Sequence, residues 1–249
     1  MPTVSVVTAV HPERAGYLPE TWPSLASQDM PPGWDWEWLV QCDSTEPADQ
    51  DAVRSQLPED ARISFGASRR SGPAIARTMT LARASGSIVK TLDADDWLAP
   101  GVLTRDIAAH QENLVGWSAS RVVDVHPDGS HTPHHADERR SGRVRQLSVW
   151  SAWNRDYTIL VHPATLAIKL DLLLAVGGWA PLPAGEDTGL LLALDAITDG
   201  WLHDETGMYY RRWTHQMSAQ HEHTDPDELA ARRRITSLRH DALNNLVTR

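Results

Sequence analysis

Apolar and polar positions alternate in blocks along the first half of the chain, and the blocks change period. Residues 4–10 (VSVVTAV) form an almost unbroken β-branched, apolar run, which predicts a strand buried on both faces. His11-Pro12-Glu13-Arg14 breaks that run. Leu18, Trp22 and Leu25 then recur at helical spacing within 17–28, in spite of Pro19 and Pro23. Pro31-Pro32-Gly33 reads as a loop. Residues 36–42 (WEWLVQC) predict a second strand that closes on Asp43-Ser44-Thr45, followed by a short helix over 49–57 and a short strand over 63–65. Gly72-Pro73 opens a helix to about residue 84, with the proline in its first turn. A strand over 88–92 and a helix over 100–111 complete this half.

The second half is less regular. Residues 114–124 predict a strand and Pro127-Asp128-Gly129 a turn; 130–145 is polar, without periodicity, and reads as a loop that could act as a lid. A strand over 165–170, a short helix over 171–175 stopping at Gly177-Gly178, a helix over 189–197 and a strand-like run over 208–213 follow. From residue 225 onward the pattern is an amphipathic helix with an acidic start and a basic middle, as the helix dipole favours. No internal repeat and no linker marks a second domain.

Strands and helices alternating at short intervals predict an α/β fold, a mostly parallel sheet with helices on both faces. Three strand ends carry polar groups: Thr8, Asp43 and the cluster Asp93-Ala94-Asp95-Asp96. If those strands are parallel neighbours, all three open into one crevice, the place where ligands bind in such sheets. Three carboxylates in four positions repel one another. Oxygen ligands spaced this way suit a hard divalent cation, and that cation suits phosphate oxygens. A solvated loop with Asp96 capping the next helix is an equally open reading of these residues alone.

Composition narrows the classes. The 249 residues carry a net charge of −10, which argues against a general nucleic-acid binder. The single cysteine, Cys42, cannot form an internal disulfide and points to a reducing compartment. No basic leader precedes the first strand and no apolar run approaches a membrane span, so the expectation is a soluble, cytoplasmic protein. Eleven tryptophans against one phenylalanine is unusual. His131, His134 and His135 match no common zinc spacing and have no cysteine partner, so they read as a solvated loop. Arg139, Arg140, Arg143 and Arg145 read as a solvated charge run, with contacts to an anionic acceptor as the alternative.

Seven segments, in order, resemble the family 2 inverting glycosyltransferases of GT-A fold. They are VSVVTAV; Cys42-Asp43-Ser44-Thr45; Gly72-Pro73-Ala74-Ile75-Ala76-Arg77; the run from Leu92 through Asp93, Asp95, Asp96 and Trp97 to Pro100; Val176-Gly177-Gly178-Trp179; Gly185-Glu186-Asp187-Thr188; and Tyr210-Arg211-Arg212-Trp213-Thr214-His215. Two departures stand out: Thr78 occupies a position where the family often has Asn, and Val10-His11 replaces its usual Tyr-Asn.

The resemblance implies a single GT-A domain: a nucleotide-binding half over 1–112, an acceptor and catalytic half over 113–220, and a C-terminal helix over 225–249. It implies that Asp43 accepts a hydrogen bond from the donor's base, that Thr8 and Val10 line the base pocket, and that Arg77 faces the phosphates. Asp93 would lie near the ribose or the metal's water shell. Asp95 would ligate Mn²⁺ or Mg²⁺, with His215 as second protein ligand, and Asp96 would cap a helix or hold the loop. Asp187 would be the catalytic base, with Glu186 positioning the acceptor or supporting the loop; Trp179 would either stack on a sugar or be buried. The implied reaction moves a sugar from a nucleoside-diphosphate-sugar, UDP-sugar favoured, to a hydroxyl of an unidentified, soluble acceptor, a nucleic acid not excluded. A catalytically degenerate GT-A domain that binds a nucleotide or a partner is the alternative of different class. A sugar-nucleotide nucleotidyltransferase is a third reading, although Val10-His11-Pro12-Glu13 lacks the glycine-rich, basic loop that class usually shows.

Overall fold

The protein's structure, a computed structural model, describes residues 1–134, 141–213 and 225–248. In chain order the elements are β1 (Thr3–Val10), α1 (Leu18–Ala26), β2 (Asp35–Cys42), α2 (Pro47–Arg54), β3 (Ile63–Ala67), α3 (Pro73–Thr80), β4 (Ile88–Thr91), β5 (Trp97–Leu98) and α4 (Val102–Glu112). There follow β6 (Trp117–Val125), β7 (His131–Pro133), β8 (Gly142–Val144), α5 (Ser148–Asp156), β9 (Ala167–Lys169), α6 (Leu170–Ala175), α7 (Glu186–Asp195), β10 (Gly200–Arg211) and α8 (Pro226–Val247). One sheet runs in the order β3-β2-β1-β4-β9-β6-β10-β5, with β7 added to β6 and β8 to β10.

The expected parallel arrangement holds for β3, β2, β1 and β4, and again for β6 with β10. Between them β9 runs antiparallel to both β4 and β6, which makes the sheet mixed. A parallel neighbour needs a crossover to return the chain to the starting edge. The turn Pro163–Thr165 already lies at the finishing edge, where Thr91 donates its N–H to Leu166 O (3.1 Å), so β9 has to run backwards.

Successive side chains of the central strands enter opposite cores. Val7, Leu39 and Val89 pack with α3, α5, α6 and α7, while Val4, Val6, Val10, Trp38 and Val40 pack with α1, α2 and α4. A strand covered on both faces needs apolar residues at every position, which is why VSVVTAV barely alternates.

Several expectations need correction. Residues 131–133 and 142–144 are strands flanking the polar segment, not loop; His135, Arg139 and Arg140 lie outside the described residues. Arg143 and Arg145 are not a free charge run: both pair with Asp199 at 3.0 and 3.3 Å, beside the start of β10. Helix α5 carries Val149, Ala152 and Trp153 inward at helical spacing, a pattern present in the sequence and overlooked. Strand β10 begins eight residues before the expected 208, because exposed Asp204 and Glu205 interrupt its apolar pattern at an irregularity in the pairing with β6. No helix among the described residues is long and apolar enough to cross a membrane.

Candidate active site

The C-terminal ends of β1, β2, β4, β6 and β10 share one edge, and the polar strand-end residues gather there. Thr8 is fully buried: its hydroxyl donates to Leu92 O (2.8 Å) and accepts from Trp38 Nε1 (2.8 Å). It fastens β1 to the start of the acidic loop. Val10 is buried too, and its carbonyl accepts the Asp43 N–H (2.9 Å). The Asp43 carboxylate accepts from the backbone N–H groups of Ser71 (2.8 Å) and Gly72 (3.0 Å), which tethers the end of β2 to the N-terminus of α3. Gly72 has φ of +85°, a backbone conformation glycine adopts without strain. Cys42, beside it, is buried and its thiol pKa is raised by that burial, as suits a core residue and not a nucleophile.

Arg77, on α3, is the hub. Its guanidinium is buried and donates to Asp93 (2.5 Å), Glu186 (3.0 Å) and Asp187 (3.1 Å). Instead of facing open phosphate space, the side chain joins the acidic loop after β4 to the N-terminus of α7. Asp187 Oδ1 also accepts from Trp179 Nε1 (2.9 Å). Burial pushes the Asp187 pKa up to about 7, aided by Glu186 and Asp93; Arg77 opposes the shift without cancelling it, because one cation serves three carboxylates. A carboxylate tuned close to neutrality is suited to general-base work. Trp179 is 2% exposed, which settles it as a buried residue and leaves no open face to stack on a sugar.

The acidic loop is held from the other side by Arg211. Its backbone N–H donates to Asp96 Oδ1 (3.0 Å), its Nε to Asp95 O (3.0 Å) and its Nη2 to Glu20 (2.6 Å), and the guanidinium lies 4.2 Å from the Trp97 ring centroid. Asp96 therefore holds the loop; α4 starts at Val102 after Gly101 and has no side-chain cap. Arg211 went unassigned in the sequence, where only its place in the Tyr-Arg-Arg-Trp run could have drawn attention to it.

Asp95 is half-buried, and its pKa is raised by burial and then by Asp93, with Arg14 and Arg211 opposing. Asp96 is raised well above the usual carboxylate range by burial, Asp93 and Asp95, and its Oδ2 is buried without a hydrogen-bond partner. Such an under-compensated oxygen cluster fits a hard divalent cation, which would relieve the repulsion. Among the described residues no three His, Cys, Asp or Glu side chains converge as a ligand set, and His215 lies outside them. His134 pairs instead with Asp124 (2.6 Å) and packs its ring against His162 and Tyr210, while His131 lies beside Tyr209.

The molecule is similar to the crystal structure of S. aureus TarS 1–349 in complex with UDP-GlcNAc, with a TM-score of 0.72 and 20% identity, over 96% of this chain and 66% of that one. Against S. aureus TarS the values are 0.65 and 19%, over 85% of this chain and 37% of that one. The mannosyltransferase PcManGT from Pyrobaculum calidifontis, in complex with GDP-Man and Mn²⁺, gives 0.60 and 18%, over 87% and 58%. The chain thus spans somewhat under two thirds of TarS 1–349, and at these identities the likeness establishes the GT-A fold alone. No curated protein matches the sequence. The family model described as glycosyl transferase family 2 matches residues 5–165, which takes in Thr8, Asp43, Arg77 and the acidic loop and stops short of Glu186 and Asp187. The chain belongs to glycosyl transferase family 2.

Proposed function

We propose that the protein is an inverting, metal-dependent glycosyltransferase that moves a sugar from a nucleoside-diphosphate-sugar to an acceptor hydroxyl. Asp187 carries the proposal: a carboxylate at the start of α7, fixed by Arg77 and Trp179, with its pKa brought to about 7. In a single displacement the acceptor oxygen attacks the anomeric carbon while the bond from that carbon to the phosphate oxygen breaks. The electron pair of that bond leaves with the nucleoside diphosphate, and the acceptor's proton passes to Asp187. One base on one face and one leaving group on the other give inversion.

The first 112 residues serve the donor and residues 113–220 the acceptor and base. Asp43 holds the loop at residues 71–72 in place, with lone pairs left on its carboxylate for a base N–H. Arg77 keeps the ribose-side Asp93 and the base Asp187 in one rigid frame. Asp95 and His215 would hold Mn²⁺ or Mg²⁺, which when bound would neutralise charge on the diphosphate. A UDP-sugar is the favoured donor, supported by S. aureus TarS having been captured with UDP-GlcNAc; Mn²⁺ is supported by its presence in the P. calidifontis mannosyltransferase.

A panel of UDP-, GDP- and dTDP-sugars, each with Mn²⁺, Mg²⁺ or EDTA, tests the proposal. Binding of one donor that needs metal and is lost in Asp95→Ala supports the donor half. Turnover lost in Asp187→Ala with binding retained supports the base. Failure to bind any donor under any of these conditions overturns the proposal in favour of a catalytically degenerate GT-A domain that acts as a binding module.

A further inference from the structure

Two hydrogen bonds reach the Asp187 carboxylate, and both end on the same oxygen. Arg77 Nη1 (3.1 Å) and Trp179 Nε1 (2.9 Å) donate to Oδ1, and among the described residues nothing donates to Oδ2. Both donors trace back to one turn of α3. Arg77 supplies the first directly. The next residue, Thr78, anchors the second, because its hydroxyl oxygen accepts the backbone N–H of Trp179 (3.1 Å).

The turn that delivers Trp179 is pressed onto Thr78. Gly177 and Gly178 have φ of +81° and +71°, and a Cβ at residue 178 would lie 2.7 Å from Thr78 Oγ1. The indole ring itself is buried in the core with Leu190 and Leu191 of α7. Its placement leaves the N–H as its one polar duty. Phenylalanine would fill much the same space and donate nothing.

We infer that Thr78 and Trp179 are positioning residues: together they occupy Oδ1 of Asp187 and so leave Oδ2 as the oxygen that takes the acceptor's proton. This rests on the reading of Asp187 as the base. Without the indole N–H, the carboxylate is held by Arg77 alone. It is then free to turn both oxygens onto the guanidinium, the bidentate arrangement that arginine favours, and Oδ2 would be withdrawn from the acceptor. Thr78 is also one of the two positions where the chain departs from its family's usual residue, and its hydroxyl has this specific task.

The test uses the full chain with UDP-GlcNAc and GDP-mannose as donors, Mn²⁺ present and water as acceptor. Donor Kd, kcat and the pH profile of kcat are measured for wild type, Trp179→Phe, Thr78→Val and Thr78→Ser. The expected result for Trp179→Phe is a fall in kcat of about ten- to hundred-fold, the scale of a misplaced catalytic group, with donor Kd within about two-fold of wild type. Its acid limb should move from the wild-type position, because the set of hydrogen bonds to the charged carboxylate has changed. Thr78→Val should fall in the same direction by about two- to ten-fold, the worth of one hydrogen bond, and Thr78→Ser should restore wild-type kcat.

Wild-type kcat and pH profile in Trp179→Phe would overturn the inference. So would equal losses in Thr78→Val and Thr78→Ser, which would make the contact one of packing and not of hydrogen bonding. If Trp179→Phe fails to fold, the Thr78 pair decides alone. A wild-type protein that binds donor while Asp187→Asn turns over normally would instead overturn the base reading, and the positioning role with it.

Discussion

Two clusters of buried charge in this molecule are built to opposite ends. Inside the sheet, Lys90 Nζ donates to Asp106 (2.8 Å) and to Thr165 O (2.6 Å), while Ser118 donates to the other Asp106 oxygen (2.7 Å) and His203 lies 3.3 Å from it. At the sheet's C-terminal edge, Arg77 is the one cation among the described residues that pairs with Asp93, Glu186 and Asp187. Burial opposes ionisation of both Asp106 and Asp187. Lys90 and His203 more than offset it at Asp106, whose pKa lies well below the usual carboxylate range. At Asp187 the shared arginine does not, and the pKa rises to about 7. The same side chain, buried twice, is a permanent anion in one place and a proton acceptor in the other. A closed network spends its charges on the fold, and an open one leaves charge for substrate, cation or proton.

Substitution should separate the two clusters most sharply. Asp187→Asn should lower kcat by about 10²–10⁴-fold, the usual contribution of a general base, while leaving the thermal midpoint intact or raised because one of three crowded carboxylates is gone. Steady-state kinetics beside calorimetry would check both halves, and near-wild-type turnover would remove Asp187 from the chemistry. Asp106→Ala should do the reverse. It strands the Lys90 ammonium in the core and should cost about 3–5 kcal/mol of stability by urea denaturation, with turnover per folded molecule preserved. If Asp106→Ala cost activity without stability, the division between the clusters would collapse.

Part of the edge cluster could be read from the chain, while its closure by Arg77 and the whole of the cluster inside the sheet could not, for one physical reason. Strand-end chemistry is local: an apolar run ending in Asp93, Asp95 and Asp96 declares itself within ten residues. The tie between Arg77 and Glu186 spans 109 positions, and nothing near either residue announces it. That is why the sequence sends Arg77 toward phosphate while the fold encloses it in carboxylates. Asp43 shows the same limit: its place at a strand end was legible, its grip on the N–H groups of residues 71 and 72 was not. The strand containing β9 was legible but its antiparallel direction was not, because three residues carry no sign of which way the chain returns, and the first part of β10 was hidden because polar Asp204 and Glu205 split the run. The tryptophan excess acquires a partial account at Trp38 and Trp179, whose N–H groups bind Thr8 and Asp187 as no phenylalanine could.

A cation should distinguish the clusters next. Mn²⁺ entering beside Asp95 binds only the folded protein, and at a concentration one hundred times its Kd it should add about 2.7 kcal/mol of stability. Thermal unfolding with and without Mn²⁺ measures it, and Asp95→Ala should abolish the gain. An equal gain in Asp95→Ala would place the cation elsewhere. Replacing Asp106 should change nothing in this titration, since its oxygens are already taken by Lys90, Ser118 and His203.

The smallest expected effect is a pH dependence, and its sign follows from the two aspartates. Asp187 must be ionised to accept a proton, and with its pKa at about 7 the ionised fraction falls as pH drops through neutrality. Turnover should therefore fall about ten-fold for each pH unit below 7, or roughly 1.4 kcal/mol of barrier per unit, and level off above it. Asp106 contributes nothing to this limb, because its pKa is lowered and it stays charged throughout. Its own stabilisation is present above the unfolded pKa of about 3.9 and is lost only as pH falls further toward the depressed folded value. Activity should thus fade near neutrality while the fold persists well into acid. A profile in which turnover and folded fraction fall together would mean that the edge cluster is as much a part of the scaffold as the one inside the sheet.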